Sequence, residues 1–442
     1  MRLPLRGGNW NNGSNCGPFA LNLNNNRSNS NWNVGFRSAL APIRQKPHGQ
    51  GCADGTGAKG NRLPPLANEG NSSSPRAASS EGERGTGATW KGTMPKAAKN
   101  LWEKILAWDN LLKAAKEASR NKRFCAEVLR FNANRERNLL HIQAMLRSKQ
   151  WKTGPFRAFY VFEPKQRLIH APSFGDRVVH HAIVQQVGPF FERRFIDQSF
   201  ACRIGKGTHA ASEYLTAMLR SAKSKWGNVY VLKADVTKYF YSIDHEILMR
   251  IVSRTIGDPD VLDLLRVIVC QCGCIEGNRG LPLGALTSQL LANAYLDQLD
   301  HFIKDELGVK YYVRYMDDFI LLHHDKKELW RLLAEIRDFL TWKLRLTLNQ
   351  KTRVFPASHG VDFAGYRHWA EYRLPRKKNM RRAKKRFAGL SRQYAAGRVE
   401  LEIVRCCVAS FVGYTKHCKG WKSAESSLSK LVLIRKSEEI PE

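Results

Sequence analysis

Two adjacent aspartates, Asp317 and Asp318, lie within a run of bulky apolar and aromatic residues at positions 311–322. Aromatic and β-branched side chains favour extended strands, so the run predicts two short antiparallel strands joined by a turn at the acids. An Asp pair alone is typical of a solvated turn. Here the apolar residues on both sides anchor the strands in a core, and the hairpin presents both carboxylates from a rigid support.

A second strand is predicted at positions 228–240, and its apolar stretch ends in Asp235, which is followed closely by the aromatic residues at 239–241. Phosphoryl transfer to a hydroxyl group needs two Mg²⁺ ions about 3.5–4 Å apart, held by carboxylates in one cleft. Asp235, Asp317 and Asp318 meet this requirement if they project from their strands into one cleft. The sequence therefore predicts a two-metal catalytic site, in which Mn²⁺ can substitute for Mg²⁺.

The charge of the chain predicts a nucleic-acid partner. The 442 residues include 72 Lys and Arg against 39 Asp and Glu, a formal net charge of +33. Such an excess favours nucleic acid over the alternative of an anionic membrane surface. No apolar run approaches the ~20 residues of a membrane-spanning helix, and the N-terminus has no signal-peptide core. We expect a soluble cytoplasmic protein without a membrane partner.

The ten cysteines are irregularly spaced, which argues against a disulfide scaffold. The densest group is Cys270, Cys272 and Cys274, which would share one side of an extended segment. Zinc sites usually contain Cys-x-x-Cys pairs or a nearby His, so reduced, half-buried thiols near a strand end are preferred over a metal site.

The first 93 residues differ in composition from the rest of the chain. Eleven Asn occur between positions 9 and 33, and positions 45–93 are rich in Gly, Ser, Pro, Ala and Arg. Few large apolar side chains are available to offset the entropy of ordering, so most of 1–93 is expected to be disordered. From Met94 onward helix and strand patterns are mixed, and the hairpin is antiparallel, which indicates an α+β fold.

Apolar periodicity predicts the elements of the remaining chain. Helices are expected at 101–118, 135–148, 174–195, 244–256, 261–269, 286–307 and 328–344, and in a very basic segment from 376. Strands are expected at 158–172 with a turn at 163–165, at 228–240, in the Asp-pair hairpin, and within 347–355 and 361–369. Asp244 is expected to cap the helix that begins at His245, and Trp421 to pack with residues 411–414.

Six segments of the chain resemble the motifs of one enzyme family. Segment 313–322 (VRYMDDFILL) resembles motif C, the catalytic hairpin, of reverse transcriptases, and 232–245 (LKADVTKYFYSIDH) resembles their motif A. Segment 165–211 is similar to the fingers region of the group II intron-like bacterial branch. The resemblance continues with motif B at 280–300, motif D at 344–352 and motif E, the primer grip, at 361–369. With these matches in order, the chain is identified as a member of the reverse transcriptases, which are RNA-directed DNA polymerases.

The resemblance implies a right-hand polymerase fold. Fingers are expected at 94–228, a palm with an antiparallel sheet and finger insertions at 229–375, and a basic helical thumb at 376–442. Residues 1–93 would form an extension.

The resemblance also implies roles for catalytic and nucleotide-binding residues. Asp235, Asp317 and, more weakly, Asp318 would bind the metal ions. Lys351 would donate a proton near the leaving pyrophosphate, with a plain surface lysine as the alternative. The incoming triphosphate would be held by Lys165 and Arg167, for which the alternative is a solvated turn. The 2′-hydroxyl of a ribonucleotide would be excluded by Phe240, for which the alternative is core packing.

Contacts with the nucleic-acid strands are implied for two further groups. The primer grip would comprise Phe363, Ala364, Gly365 and Tyr366. A charge run is usually a solvated face, but this one follows motif E, where the thumb of these enzymes begins. Phosphate-backbone contacts are therefore implied for Arg376, Lys377, Lys378, Arg381, Arg382, Lys384, Lys385 and Arg386.

The motif B segment departs from the pattern of most relatives, which carry Gln-Gly-x-x-x-Ser-Pro. Leu283 replaces the Gln before Gly284, and Gln289 replaces the Pro. This variant is similar to the reverse transcriptases of diversity-generating retroelements, which copy a template-repeat RNA and misincorporate opposite adenine. Because Leu offers no directional polar contact to the nascent base pair, discrimination would weaken. The alternative is that Leu283 is a harmless hydrophobic replacement.

The N-terminal segment 7–40 resembles the C-terminal end of the variable target proteins of these elements, which have a C-type lectin-like fold. Adenine-rich codons specify Asn, so we hypothesise that the reading frame runs through the template repeat and that the enzyme starts at Met94. An Asn-rich tail without that origin is the alternative. The resemblance implies template-repeat RNA, cDNA, dNTPs and a pentameric accessory variability protein as partners.

Two competing functions stay open on the sequence alone. One is a group II intron-like, retron-like or defence-associated reverse transcriptase of ordinary fidelity, which Leu283 and Gln289 disfavour. The other is a non-catalytic RNA-binding module on a polymerase scaffold, which the three intact aspartates disfavour.

Overall fold

The computed structural model describes residues 5–6, 21–22, 97–162, 166–270 and 277–434. Two short strands, β1 (Leu5–Arg6) and β2 (Leu21–Asn22), pair antiparallel. Apart from these strands, the stretch predicted to be disordered lies outside the described residues, as do the turn at 163–165, Met94, Lys165, Cys272 and Cys274. The described part of the chain mixes helices with antiparallel sheets, as expected for an α+β fold.

The largest sheet has four antiparallel strands in the order β6-β7-β5-β8. These strands are β5 (Tyr230–Asp235), β6 (Tyr312–Tyr315), β7 (Asp318–His323) and β8 (Arg353–Pro356). β6 and β7 form the predicted hairpin around the Asp pair, and β5 lies beside β7. The strand predicted at 228–240 is shorter than expected, because Lys238 turns to a positive φ of 44° and a short helix, α7 (Tyr239–Ser242), follows.

Alternate side chains of the sheet enter two different cores, as the period of two in a strand requires. Leu232 and Ala234 of β5 belong to the main core, whereas Val231 belongs to a second core formed with α6 (Thr208–Trp226). Lys233 and Asp235 have the same parity as Val231, so both lie on the side of the second core.

Helices enclose the main core. They are α1 (Trp102–Leu106), α2 (Trp108–Ala118), α3 (Ala126–Ala133), α4 (Arg135–Arg147), α5 (Phe174–Glu192), α8 (His245–Ser253), α9 (Pro259–Cys270), α10 (Leu286–His301) and α11 (Lys326–Leu344). A π-helical turn, Phe302–Glu306, continues α10. The hairpin of β3 (Arg157–Val161) and β4 (Arg167–Ala171) pairs antiparallel as predicted.

The sequence predictions for this region concern a helix, a helix cap and a thiol. The prediction of a single helix at 101–118 is wrong, because Ala107 has an extended ψ of 136° that separates α1 from α2. The cap at Asp244 is confirmed, since its side chain accepts hydrogen bonds from the backbone N–H groups of Glu246 and Ile247. The prediction of a half-buried thiol near a strand end is wrong for Cys270, because this residue ends α9 and is exposed.

The C-terminal region joins a small sheet to three helices. β9 (Val361–Phe363), β10 (Tyr366–His368) and β11 (Arg373–Pro375) form an antiparallel sheet, followed by α12 (Lys377–Ala395), α13 (Leu401–Thr415) and α14 (Trp421–Leu428). Phe411 and Tyr414 are buried in the core of these helices, as predicted. The packing predicted for Trp421 is wrong: its side chain is 69% exposed, because the face of α14 that enters the core carries Ala424 instead.

Within the described ranges, no helix combines the length and the apolar character that crossing a membrane would require.

Candidate active site

The three aspartates singled out in the sequence meet at one end of the four-stranded sheet. Asp235, the last residue of β5, pairs directly with Asp318, the first residue of β7. Asp317 precedes β7 in the turn, where its carbonyl oxygen accepts a hydrogen bond of 3.3 Å from the backbone N–H of Val236. Met316, the other turn residue, is fully buried and has a left-handed φ of 56°. The hairpin thus brings two acids beside a third on the neighbouring strand.

Asp317 and Asp235 form a repelling pair of carboxylates. Burial raises the pKa of Asp317, and the neighbouring Asp235 carboxylate raises it further, to about 7. The guanidinium of Arg167, at the start of β4, lowers this pKa. Arg167, which is predicted to bind the triphosphate, is therefore close enough to interact electrostatically with Asp317. A divalent cation between the two carboxylates would relieve their repulsion.

Asp235 is held in place by Asn349, a residue that the sequence reasoning missed. The Asn349 side-chain amide donates to the Asp235 carboxylate at 3.2 Å, and its backbone N–H donates to the Asp235 carbonyl at 2.7 Å. Lys351, predicted as a proton donor, has an exposed side chain, and its backbone N–H donates to the Asn349 side chain at 3.0 Å. Asn349 lies two residues before Lys351 in the motif D segment, and this position could have identified it as a site residue from the sequence.

Asp318 has a different partner from the other two acids. Both of its carboxylate oxygens lie 2.7 Å from Lys233 Nζ, which also donates to the Asp362 carbonyl at 2.7 Å and lies 5.8 Å from the ring centre of Phe363. Lys233 was not singled out in the sequence, although its place two residues before Asp235 puts both on one side of β5. The ammonium group therefore neutralises Asp318 and ties the turn to β9.

The donor set fits a hard divalent cation held by few protein groups. Across the described ranges, no three His, Cys, Asp or Glu side chains cluster around one point as metal ligands. Asp235 and Asp317 remain as a pair of mutually repelling, half-buried carboxylates. Mg²⁺ is commonly held by one or two carboxylates, with waters and substrate phosphates completing its coordination.

The motif B segment packs closely on the β3–β4 hairpin. The Leu283 carbonyl accepts a hydrogen bond of 2.9 Å from His170 N–H, and the Leu283 side chain is buried in the main core. Gly284 has a φ of 125°, and a Cβ there would lie 2.9 Å from the His170 carbonyl oxygen. Only glycine fits this approach without displacing β4. Gln289, in the first turn of α10, is also buried.

Phe240 lies in α7, five residues after Asp235. Its ring is 7% exposed and belongs to the main core, where it packs edge-on against Tyr239 at 5.6 Å. Its carbonyl accepts a hydrogen bond of 2.7 Å from Leu281 N–H, which connects α7 to the motif B segment.

A model of the family described as reverse transcriptase (RNA-dependent DNA polymerase) matches residues 157–368, which include all three aspartates, Arg167 and the motif B segment. The chain contains a reverse transcriptase domain. That domain is the catalytic domain of an RNA-directed DNA polymerase, and its relatives include proteins encoded by group II introns.

Protein YkfC of Escherichia coli is 26% identical over 263 residues, which cover 50% of this chain and 68% of YkfC. Group II intron-encoded protein LtrA of Lactococcus lactis is 24% identical over 235 residues, which cover 50% of this chain but 38% of LtrA. The chain thus spans well under half the length of LtrA. Among solved structures, telomerase from Candida albicans has a TM-score of 0.40 and 12% identity, over 64% of this chain and 58% of that chain.

The reverse transcriptase domain ends in the β9–β10 hairpin, which carries the four predicted primer-grip residues. Phe363 and Tyr366 are fully buried and face each other across the ladder, while Ala364 (φ 44°) and Gly365 (φ 88°) form the tight turn between them. Tyr366 Oη donates to the Tyr414 carbonyl at 3.0 Å, and Tyr414 Oη donates to the Gly365 carbonyl at 2.7 Å. These bonds fasten the hairpin to α13.

The basic residues that follow the reverse transcriptase domain divide into two groups. The exposed side chains follow one side of α12, opposite the buried Met380 and Phe387, and they are Lys377, Lys378, Arg381, Lys384 and Lys385. The others are partly buried: Arg376 lies 3.8 Å from Asp362, and Arg386 bonds Cys407 Sγ at 3.3 Å, while Arg382 is also half-buried. The exposed group forms a continuous cationic stripe.

Proposed function

We propose that the chain copies a template-repeat RNA into cDNA with adenine-selective errors, for the targeted diversification, or mutagenic retrohoming, of a variable protein gene. The polymerase part of the proposal is carried by one observation, the direct pairing of Asp235 with Asp318 beside the half-buried Asp317 in a reverse transcriptase domain. The template-repeat part is supported by Leu283 and Gln289 in the motif B segment.

The proposed architecture is a right-hand polymerase. Residues 94–228 serve as fingers, 229–375 as a palm with finger insertions, and 376–442 as a thumb. In this arrangement the sheet of β5–β8 supports the acids, and the cationic stripe of α12 faces the phosphates of the template–product duplex.

Each residue of the site contributes a defined part of the chemistry. Asp235 and Asp317 bind the divalent ions, Mg²⁺ or Mn²⁺. These ions, when bound, activate the primer hydroxyl and stabilise the leaving pyrophosphate. Arg167, whose charge already acts on Asp317, holds the triphosphate together with Lys165, and Lys351 supplies a proton to the pyrophosphate. Phe240 occupies the volume that a 2′-hydroxyl would need.

The proposed error selectivity depends on the apolar surroundings of the nascent base pair. Leu283 is fixed by core packing and by the His170 bond to its carbonyl, and its aliphatic side chain offers no directional polar contact. A site without such a contact rejects wrong pairs less strongly.

The test is primer extension on an adenine-containing RNA template, with the product read by sequencing. With the pentameric accessory protein present, we expect errors concentrated opposite adenine, and fewer of them in Leu283→Gln. Faithful copying of adenine by the unmodified chain would overturn the template-repeat proposal. A lack of any DNA product would overturn the polymerase proposal and favour an RNA-binding scaffold.

A second candidate function is a reverse transcriptase of ordinary fidelity that serves an intron, a retron or a defence system. The similarity to an intron-encoded protein favours it. Equal error rates opposite all four template bases in the same assay would select this candidate.

A further inference from the structure

Arg314 is a fully buried arginine on β6, three residues before Asp317, and its guanidinium has no role in the chemistry described so far. Its Nε donates to Asp300 Oδ1 at 2.7 Å, and its Nη2 donates to Asp300 Oδ2 at 2.5 Å. Asp300 is also fully buried and accepts a further bond of 2.6 Å from Tyr312 Oη. The ion pair is therefore bidentate and completely screened from solvent.

The remaining nitrogen of Arg314 connects the catalytic turn to α10, the helix that also carries Asp300. Nη1 donates to the Met316 carbonyl at 3.0 Å and to Asn293 Oδ1 at 3.2 Å. Met316 belongs to the catalytic turn. Asn293 belongs to α10, one turn after Gln289, which lies on the same side of the helix at i and i+4.

The turn needs such a fixed donor because its backbone is strained. Met316 has a left-handed φ of 56°, a region that residues other than glycine rarely occupy and that persists only when the surroundings enforce it. Its side chain is fully buried, which removes solvent as an alternative partner for this part of the turn. The carbonyl held by Arg314 belongs to the peptide that leads directly into Asp317.

The charge of Arg314 is maintained despite its burial. Burial lowers its pKa, but the Asp300 carboxylate more than compensates and holds the pKa above its usual value. The backbone of Arg314 is fixed as well, because its N–H donates to the Gln198 carbonyl at 2.9 Å and its carbonyl accepts from Phe200 N–H at 3.0 Å. The guanidinium is thus a rigid, charged donor behind the acids.

We propose that Arg314 is a positioning residue for DNA synthesis: through Met316 it sets where Asp317 stands relative to Asp235, and through Asn293 it joins that turn to the helix of the motif B segment. The inference rests on the proposed polymerase function. Arg314 contacts neither substrate nor metal, and it acts only through the residues that it holds.

The test compares Arg314→Lys with the unmodified chain in steady-state primer extension, normalised to the active fraction. Lysine keeps the charge but cannot hold Asp300, Met316 and Asn293 in one plane. We expect kcat to fall about 10- to 100-fold and the Mg²⁺ concentration for half-maximal rate to rise about tenfold, with an unchanged KM for dNTP.

Arg177→Lys is the matched control. Arg177 is a largely buried arginine on α5 that pairs with Glu127 of α3 at 2.6 Å. Its replacement is expected to lower the melting temperature without changing the Mg²⁺ midpoint. If Arg314→Lys also lowers only the melting temperature, Arg314 is a structural residue and the proposal fails.

Asn293→Leu provides a second variant in case Arg314→Lys does not fold. It removes one acceptor of Nη1 and leaves the ion pair with Asp300 intact, so a smaller loss of kcat with the same direction of Mg²⁺ shift is expected. An unchanged Mg²⁺ midpoint in a folded Asn293→Leu protein would contradict the proposed link. If the unmodified chain makes no DNA, the polymerase function itself is refuted, which is a different outcome from normal kinetics in the variants.

Discussion

At the scale of single residues, the three aspartates have unequal environments. Asp317 is half-buried and is repelled by the Asp235 carboxylate, while Asp318 is neutralised by Lys233, which donates to both Asp318 oxygens and to the Asp362 carbonyl. A carboxylate already paired with an ammonium group is a poorer ligand for a cation than one that faces another carboxylate. The acids are therefore expected to respond differently to substitution.

Asparagine replacements test this difference. Asp317→Asn should reduce kcat at least about 100-fold, because it removes one of the two carboxylates available to the metal ions. Asp318→Asn should cost only about tenfold, because it disturbs the orientation of the turn and leaves that pair intact. The measurement is primer extension at saturating Mg²⁺, with folding checked by circular dichroism. Equal losses in both variants would show that Asp318 is a metal ligand of the same rank.

Asp297 on α10 gives a stability prediction at the same scale. Burial and the neighbouring Asp300 carboxylate raise the pKa of Asp297 from 3.8 to about 7, and its Oδ1 is buried without a hydrogen-bond partner among the described residues. The folded state therefore binds more protons than the unfolded state between these values, and stability falls as pH rises through that window. Burial lowers the pKa of His301, but the Asp297 carboxylate raises it overall, so His301 contributes stability that is also lost as pH rises.

Asp297→Asn should remove much of this penalty. At pH 8 we expect the free energy of unfolding to increase by about 1–3 kcal/mol, with a smaller gain at pH 5, where the folded carboxyl is already protonated. Urea unfolding at the two pH values measures the effect, and the exposed Asp338→Asn on α11 is the control. A gain that is the same at both pH values would rule out the buried charge as its cause.

At the level of secondary-structure elements, the basic residues at 376–386 fall into an exposed group and a partly buried group. Arg376 and Arg386 are used to hold the helix to its neighbours, whereas the exposed stripe has one continuous side open to a ligand. Sequence reasoning predicted all eight basic residues as one nucleic-acid surface. It could not separate the two groups, because a Lys or Arg at any position of a charge run has the same composition signal, and only helix packing determines which side faces solvent.

The stripe leads to a prediction about salt dependence. Replacing Lys377, Lys378 and Arg381 by alanine should weaken binding to RNA–DNA duplexes of any sequence and should reduce the slope of log affinity against log salt by about 0.9 for each phosphate that is no longer neutralised. Fluorescence anisotropy over a range of KCl concentrations measures both effects. The triple variant of Lys326, Lys327 and Lys343, all exposed on α11, is matched in charge and should leave the slope unchanged. A slope that is equal in the two variants would argue against the stripe.

At the scale of the whole molecule, three cores are built from described residues between Ala98 and Ala424. The four-stranded sheet contributes to the main core and the second core, and the bonds among Tyr366, Gly365 and Tyr414 attach the C-terminal helices to the β9–β10 hairpin. The elements that support the three aspartates therefore belong to one connected set of packing contacts and hydrogen bonds within this range.

A chain that begins at Met94 should accordingly fold and synthesise DNA. We expect its melting temperature to lie within a few degrees of that of the full chain, since a change of 1 kcal/mol shifts the melting temperature of a large domain by about 2–4 °C. Thermal unfolding and primer extension of both proteins test this expectation. Loss of folding in the shorter chain would show that residues before Met94 take part in the core.

Local patterns in the sequence predict the hairpin around Asp317 and Asp318, the strand that carries Asp235, and most helices, because apolar periodicity and turn chemistry are local. The sequence also located the motif B glycine, although the reason for that glycine, its approach to the His170 carbonyl, appears only in the fold. Three contacts are visible only in the fold: Lys233 pairs with Asp318, Asn349 holds Asp235, and Arg314 supports the turn. These pairings join residues up to 114 positions apart, and side chains so distant in the chain meet only after the sheet and α10 have packed.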